Sequence, residues 1–225
     1  MRALRQIVFI LSKDLLIELR SKEIVTSMLV FALMVVIVFN FIFDPGSREI
    51  KAVAPGILWV ALIFAGNLGL SRSFAREMDQ GKMQGLLLCP FDRSLIYIAK
   101  MLGNVLFMLL VALFISPVIF VLFGLSPGAS VFPLAFVLLL GAVGLSAVGT
   151  LFATISAHTR AREVMLPILL FPVSVPVILA AAKSTVHLLD RGGAAETAAW
   201  IRILVAFDLI FVVLCYLLYE HVLEE

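Results

Sequence analysis

Apolar positions in the chain form long continuous runs separated by short polar segments. Residues 24–43 and 52–71 carry no Asp, Glu, Lys or Arg. Each run has roughly the 20 residues that a helix needs to cross the hydrocarbon layer of a bilayer. The run 101–159 is equally free of charge but too long for one helix. Turn-forming residues between Gly124 and Pro133 divide it into spans of about 101–123 and 132–156.

Two further runs complete this pattern. Residues 164–182 form a fifth span, and residues 203–219, with Asp208 inside them, form a sixth. Their apolar positions are continuous rather than alternating, which disfavours the strands of a membrane barrel. The sequence therefore predicts an all-α integral membrane protein whose six transmembrane helices occupy a single domain, residues 24–225.

Residues 1–23 have a different pattern, because apolar and polar side chains take opposite faces at helical spacing. The two faces are Leu4, Ile7, Val8, Leu11, Leu15 and Leu19 against Arg2, Arg5, Gln6, Lys13 and Arg20. This predicts an amphipathic helix lying in the membrane interface, with a simple membrane anchor as the alternative role. Asp14 and Glu18 interrupt the apolar edge. Pairing with basic neighbours and contact with another protein both explain them.

Composition supports lipid as the solvent. Hydrophobic residues make up 63% of the 225 positions and charged residues 14%, and the mean hydropathy is +1.15. A chain this short cannot hide so much apolar surface in a core of its own. The two cysteines, Cys89 and Cys215, form no CxxC motif, so no cysteine-based metal site or covalent haem attachment is predicted.

Basic residues are distributed unevenly between the two sides of the membrane. Twelve of the 17 Lys and Arg residues fall in the N-terminal segment, the second loop and the fourth loop. Only Arg48, Lys51, Lys183 and Arg191 fall on the other side, with Arg202 at a boundary. The positive-inside rule then places both termini in the cytoplasm, and an even number of spans agrees with that.

The second cytoplasmic loop, residues 72–100, contains more sequence features than a simple connection needs. A charged helical stretch is followed by Gly81, a short apolar run and Pro90, after which Asp92 or Ser94 is placed to cap the next helix. This order predicts a short helix over about residues 82–89 that lies along the membrane surface. Its leucines require a buried partner, either the membrane side or a docked protein.

This loop resembles that of the membrane subunits of ABC-2 type exporters. The matching residues are Arg76-Glu77, Gly81, Leu86, Pro90 and Lys100. The resemblance implies a coupling helix that seats in a groove of a separate cytoplasmic ATPase. The implied docking residues are Arg76, Glu77, Asp79, Gly81, Gln84, Leu86, Leu87 and Pro90.

A narrower resemblance covers almost the whole chain. Residues 54–59, Ala-Pro-Gly-Ile-Leu-Trp, open the second span; Asp79-Gln-Gly81 and Pro90 follow; Gly141 and Gly144 lie in the fourth span. Together with the three prolines of the fifth span, this is similar to the CcmB family, the haem exporter protein B of cytochrome c maturation. The chain departs from the family pattern at two positions, where Gln84 replaces an acidic residue and Lys82 a small hydroxyl residue.

The resemblance implies a mechanical role in the bacterial inner membrane. Two copies would pair, each above an ATPase that holds the ATP, and hydrolysis would move the coupling helix and then spans one, two and five. The work would serve haem delivery, with haem as possible cargo, to a periplasmic haem chaperone through a haem-handling membrane subunit. Two alternatives remain: an ABC-2 permease for a lipid, polysaccharide or drug, and an ATP-independent channel or assembly factor.

No catalytic site is predicted in the chain, and neither a directly bound cofactor nor a nucleic-acid partner is expected. Gly81-Lys82 lacks both the upstream glycine and the following Ser or Thr of a phosphate-binding loop. His158 and His221 fall on the cytoplasmic side and His187 on the other, so they cannot ligate one haem together. Trp59 and Trp200 are each expected at an interface as membrane anchors.

Polar residues and prolines within the spans are candidates for a pathway: Asn40, Asn67, Asp208, Pro167, Pro172 and Pro176. An intramembrane carboxylate suggests function, although Asp208 could instead pair with Arg202 near a boundary. The prolines favour either a flexible or re-entrant element lining a path or a fixed kink for packing. A small-residue face in the fourth span suits close helix contact, within the subunit or between copies: Gly141, Gly144, Ser146 and Gly149.

Overall fold

The computed structural model describes residues 2–44, 46–79, 93–125, 131–157, 159, 162–189 and 194–222. Nearly all of these residues are helical, and no strand occurs among them. In chain order the helices are α1 (Arg2–Ser21), α2 (Glu23–Ile42), α3 (Arg48–Asp79), α4 (Arg93–Leu122), α5 (Val131–Ala157), α6 (Arg162–Leu189) and α7 (Ala194–Val222).

Helices α2 to α7 are long and apolar enough to cross a membrane, and they are the six such helices within the described ranges. The predicted all-α membrane protein with six spans is confirmed. Several helices extend beyond the apolar runs: α3 continues to Asp79 and α4 begins at Arg93. The ends are polar because, outside the hydrocarbon, a helix can continue with side chains that water or head groups solvate.

The connections α2–α3 and α4–α5 meet at one end of the bundle. The Gly46 N–H donates a hydrogen bond of 3.2 Å to the Phe123 carbonyl oxygen. Gly46 and Gly124 have φ values of +80° and +64°, a region that favours glycine because a side chain is strained there. The break predicted from Gly124 onwards is confirmed, since α4 ends at Leu122 and α5 begins at Val131. This end is called the opposite end, and the other, which carries α1, the α1 end.

Helix α5 is the centre of the bundle and packs on α3, α4, α6 and α7. Its small residues permit this close packing. Gly141 lies against the ring of Trp59 and Gly149 against the side chain of Leu70, both on α3. Gly144 faces Asp208 on α7. These glycines therefore make contacts within the subunit, which answers one of the alternatives that the sequence left open.

Trp59 corrects one prediction, because it is not an interface anchor. Its side chain is fully buried, and its Nε1–H donates a hydrogen bond of 3.1 Å to the Thr185 hydroxyl on α6. The ring occupies the space that Gly141 leaves on α5, and a buried indole N–H requires an acceptor, which Thr185 supplies. Trp59 thus joins α3, α5 and α6 inside the bundle, whereas Trp200 is half-buried.

Helix α1 is separate from the six spans and packs against α4 and α2. The side chains that it buries are Ile10 and Glu18, with Asp14 half-buried between them at the same four-residue spacing. The apolar residues Leu4 and Leu19 are exposed. The acidic edge of this helix, rather than the centre of its apolar face, is therefore turned towards the protein.

Candidate functional site

Charged side chains from α1, α2, α3 and α4 meet at the α1 end and form the most polar region within the described residues. We call this group the base cluster; it consists of Asp14, Glu18, Ser21, Glu23, Arg72, Arg76 and Lys100. It lies where α3 ends and α4 begins, at the two ends of the segment 80–92.

Lys100 on α4 forms the most buried ion pair of the base cluster. Its Nζ lies 2.8 Å from Asp14 Oδ2, and its side chain is only 3% exposed. Asp14 Oδ1 also lies 3.0 Å from the Nζ of Lys13, which is more exposed. A lysine is almost never buried without a partner. The pair therefore joins α1 to α4 and explains one of the acidic residues that interrupt the apolar face of α1.

Glu18 fixes the turn between α1 and α2. Lys22 precedes α2 with a φ of +54° and offers no side-chain cap, while Glu18 Oε1 accepts a hydrogen bond of 2.8 Å from the Val25 N–H. The first N–H groups of a helix have no partner within the helix, and a carboxylate near them is stabilised by the helix dipole. Glu18 thus takes the capping role for α2 from a position seven residues before Val25.

Arg76 ties the end of α3 to the same turn. Its Nη1 donates a hydrogen bond of 3.0 Å to the Ser21 hydroxyl and lies 4.0 Å from Glu23 Oε2. Arg72 lies 3.7 Å from Glu23 Oε1. These side chains are partly exposed, so each ion pair contributes little stability by itself. Together they hold the last turns of α3 against the α1–α2 turn.

A small cavity of about 30 Å³ lies inside the base cluster. Its polar lining includes Asp14, Glu18, Ser73 and Arg76. The volume is sufficient for a water molecule, and polar side chains on several sides supply hydrogen-bond partners for one. Glu18 Oε2 is buried and has no hydrogen-bond partner among the described residues. The base of the bundle is therefore polar inside and not filled by apolar packing.

The residues predicted to dock an ATPase lie at and beyond this cluster. Arg76 belongs to it, and Glu77 and Asp79 lie in the last turn of α3, where only their backbone is described. The predicted helix over residues 82–89 falls outside the described residues. The same is true of Gly81, Gln84, Leu86, Leu87 and Pro90.

The asparagines and prolines predicted as pathway candidates are not brought together. Asn40 lies near the end of α2 and Asn67 on α3, and the side-chain oxygen of each is buried with no hydrogen-bond partner among the described residues. Helix α6 is continuous from Arg162 to Leu189 and is not re-entrant. Pro172 and Pro176 are exposed on its outer side, whereas Pro167 is half-buried.

Asp208 is buried in the middle of α7, and the expected pairing with Arg202 is absent. The Arg202 side chain is exposed, and its Nε donates a hydrogen bond of 3.2 Å to the Ala198 carbonyl oxygen. Neither carboxylate oxygen of Asp208 has a hydrogen-bond partner among the described residues. Six residues correspond to one and two-thirds helical turns, so the two side chains leave α7 on different faces.

A neutral polar network near the α1 end was not predicted. Asn104 Nδ2 donates a hydrogen bond of 2.9 Å to the Thr150 hydroxyl, and the Tyr97 hydroxyl donates one of 3.1 Å to the Ala147 carbonyl oxygen. The hydroxyls of Thr154 and Tyr219 lie 3.4 Å apart. The signal for this network in the sequence is weak, because it consists of two threonines four residues apart in an uncharged run. The network holds α4, α5 and α7 together.

Among the three histidines, His187 has a described partner, since its Nδ1 lies 3.2 Å from Glu196 Oε2 near the opposite end. Within the described ranges, no three His, Cys, Asp or Glu side chains are grouped to hold a metal ion.

The fold defines a multi-pass α-helical membrane protein, with six helices long and apolar enough to span in the described part of the chain. The family model described as "CcmB protein" matches residues 5–224. The chain therefore belongs to the CcmB family.

Individual relatives agree with this assignment. The chain is 28% identical over 170 residues to "Heme exporter protein B" of Pseudomonas aeruginosa, an alignment that covers 76% of each chain. It is 27% identical over 174 residues to the protein of the same name from Haemophilus influenzae, covering 77% of this chain and 78% of the relative. It is 30% identical over 175 residues to the protein of the same name from Paracoccus denitrificans, covering 78% of this chain and 80% of the relative.

Proposed function

We propose that the chain is the membrane permease subunit of an ABC complex in cytochrome c maturation. It would couple ATP hydrolysis by a partner subunit to haem export or to release of the haem-loaded periplasmic chaperone. The observation that carries the proposal is the CcmB family match over residues 5–224, together with relatives named "Heme exporter protein B". Haem is the cargo if the complex exports it, and the ATP belongs to the partner in either role.

The proposal places the α1 end and both termini in the cytoplasm of a bacterium, with the bundle in the inner membrane. The support is the positive-inside rule, since twelve of 17 Lys and Arg residues belong to the segments at the α1 end. The proposal keeps the predicted domain organisation, in which residues 1–23 form an interfacial helix and residues 24–225 form the transmembrane domain.

The base cluster supports mechanical coupling through the segment 80–92. Arg76 lies three residues before the end of α3, and Lys100 lies seven residues after the start of α4. Both are fastened to the region of α1 and the α1–α2 turn. A push on the docked segment would therefore move α1, α2, α3 and α4 as one unit. The segment itself would dock through its predicted short helix over residues 82–89.

Further partners of the proposed complex are a second copy of this chain, a haem-handling membrane subunit and the periplasmic haem chaperone. Helices α2 and α7 support a partner in the bilayer, because only 22% of the apolar stretch of each is buried inside the bundle. Their remaining apolar surface is suited to lipid and to other transmembrane helices.

The first experiment tests the function. In a strain that lacks this chain, haem staining of membrane and periplasmic proteins is expected to show loss of c-type cytochromes, which return when the chain is expressed again. Normal c-type cytochromes in that strain would contradict the proposal and favour an ABC-2 permease for another substrate.

The second experiment tests ATPase docking. Replacing Leu86 and Leu87 together with Asp is expected to abolish copurification of the ATPase, because two charges replace the apolar surface that docks. The matched control, L86M/L87M, retains an apolar surface and is expected to retain the ATPase. Immunoblots of the membrane fraction check that both variants insert. Retention of the ATPase by the Asp variant would rule out docking through this segment.

A further inference from the structure

Asp208 lies at the centre of α7, 14 residues from either end of the helix at Ala194 and Val222. With a rise of 1.5 Å per residue, that is about 21 Å from each end. The residue is only 7% exposed, so its carboxyl group lies inside the bundle, halfway along α7. Carboxyl groups within transmembrane helices are rare and expensive, and they generally have a function.

Three helices close around the Asp208 carboxyl group. On α5, a Cβ atom at Gly144 would lie 2.6 Å from Asp208 Oδ1 and 3.2 Å from Val177 Cγ2 of α6. The carboxyl group therefore fits only because residue 144 has no side chain. No partner for either oxygen is found among the described residues. The pocket thus has the shape of the carboxyl group but supplies no charge or hydrogen bond to it.

No titratable side chain at the same depth compensates a negative charge there. Helix α5 contains no titratable residue, and those of α4 all lie in its first eight residues. On α6 the titratable residues are the first two and then Lys183, which is exposed, and His187, which pairs with Glu196. On α7 itself, the neighbours are Arg202 and Cys215, six residues before and seven after Asp208.

An ionised carboxylate without a partner in an apolar interior is so unfavourable that the group takes up a proton instead. We propose that Asp208 is a proton-binding site. In this packing it is a neutral carboxylic acid, and it releases its proton when α7 moves away from α5 and α6. On release the O–H bond breaks, its electron pair stays on the carboxylate oxygen, and the proton passes to water that enters between the helices.

Two observations support the release step. The Ser174 and Ser184 hydroxyls on α6 are buried and have no hydrogen-bond partner among the described residues. They lie three residues before and seven after Val177, on the same face of α6, where entering water would meet them. In addition, 22% of the apolar stretch of α7 is buried against 56% for α5, so a movement of α7 would separate less buried surface than a movement of the central helix.

Infrared spectroscopy of the protein labelled with 13C-aspartate tests the bound proton. The wild type at neutral pH is expected to show the carbonyl stretch of a protonated aspartic acid, and D208N is expected to lack it. The control D44N, which removes an exposed aspartate, should lose only carboxylate intensity. A difference spectrum between wild type and D208N that contains only carboxylate bands would overturn the proposal.

The release step is tested in the complex with its ATPase, and this part rests on the proposed function. The acid band of Asp208 is expected to weaken when a non-hydrolysable ATP analogue is added. D208N should lower c-type cytochromes roughly fivefold or more, within the usual range of coupling between sites, while D208E retains more activity. Immunoblots establish the abundance of each variant.

An unchanged acid band together with full activity of D208N would mean that Asp208 is a static neutral acid, and it would overturn the proposed proton release. Absence of any bound ATPase would instead contradict the proposed function and leave the first measurement valid.

Discussion

Lys100 and Asp14 form an ion pair across 86 residues of sequence, with 2.8 Å between Nζ and Oδ2 and only 3% of the lysine side chain exposed. The pair connects a helix outside the six spans to the span that follows the segment 80–92. Stability of the base of the bundle therefore depends on α1, although α1 contributes little to the apolar core.

Removing the carboxylate from this pair is expected to destabilise the protein strongly. D14N removes the carboxylate that lies 2.8 Å from the buried Lys100 ammonium, and a hydrogen bond to a charged group contributes about 1.5–3 kcal/mol. K100Q removes the same contact but leaves Asp14 with Lys13 3.0 Å away. Apparent melting temperatures in detergent measure both effects. The double variant D14N/K100Q is expected to lose less stability than the sum of the two single variants; additive losses would show that the two residues act independently.

Glu18 is expected to stabilise the start of α2. E18A removes the acceptor of the Val25 N–H, and loss of a helix cap costs about 1 kcal/mol. E18Q keeps an acceptor oxygen without the charge and should cost less than E18A. The exposed Ser12, whose hydroxyl bonds only the Phe9 carbonyl oxygen among the described residues, provides the control S12A. If E18A and S12A melt at the same temperature, the capping role of Glu18 is wrong.

Replacing two glycines in the spans with alanine is expected to change the stability of the protein in opposite directions. A methyl group at Gly141 would enter the buried Trp59 ring, which has no room to move, and overpacking costs about 1–3 kcal/mol. Gly56 has no atom within 4 Å of the corresponding position, so G56A should stabilise α3 by roughly 0.5–1 kcal/mol through helix propensity. Thermal unfolding of G141A, G56A and wild type in one detergent measures the difference. A G141A protein as stable as wild type would contradict the packing of Trp59 on α5.

His187 is expected to be dispensable for cytochrome c maturation. Its partner Glu196 is 66% exposed, and even a charged contact this exposed contributes at most about 1 kcal/mol. H187A should therefore leave both the membrane abundance of the chain and the haem staining of c-type cytochromes near the wild-type level. Loss of cytochromes at normal abundance would identify His187 as a functional ligand.

The sequence predicted the spans well because their signals are local. The length of each apolar run depends on a few neighbouring positions, and the described residues contain six helices long and apolar enough to span. The pattern of residues 1–23 predicted an amphipathic interfacial helix; α1 occupies Arg2–Ser21 of them, and its place in the membrane interface stays a prediction.

Contacts between distant positions were predicted less well. A basic partner for Asp14 was one of the alternatives, yet nothing local distinguishes Lys100 from eleven other basic residues on the same side. The interfacial role expected of Trp59 was wrong because burial of the ring depends on Gly141, 82 residues later. Pairing of Asp208 with Arg202 was one alternative, drawn from their spacing alone, whereas the rotation of the helix separates them.

The ion pair between α1 and α4 also has a consequence for synthesis. Asp14 leaves the ribosome long before Lys100, so α1 is complete before the two spans, α2 and α3, that precede this lysine. When α4 arrives, its lysine would meet an acidic residue already in place. A chain that lacks residues 1–21 would present that lysine without the Asp14 carboxylate, and the insertion of α4 would then lack one of the contacts that receive its charge.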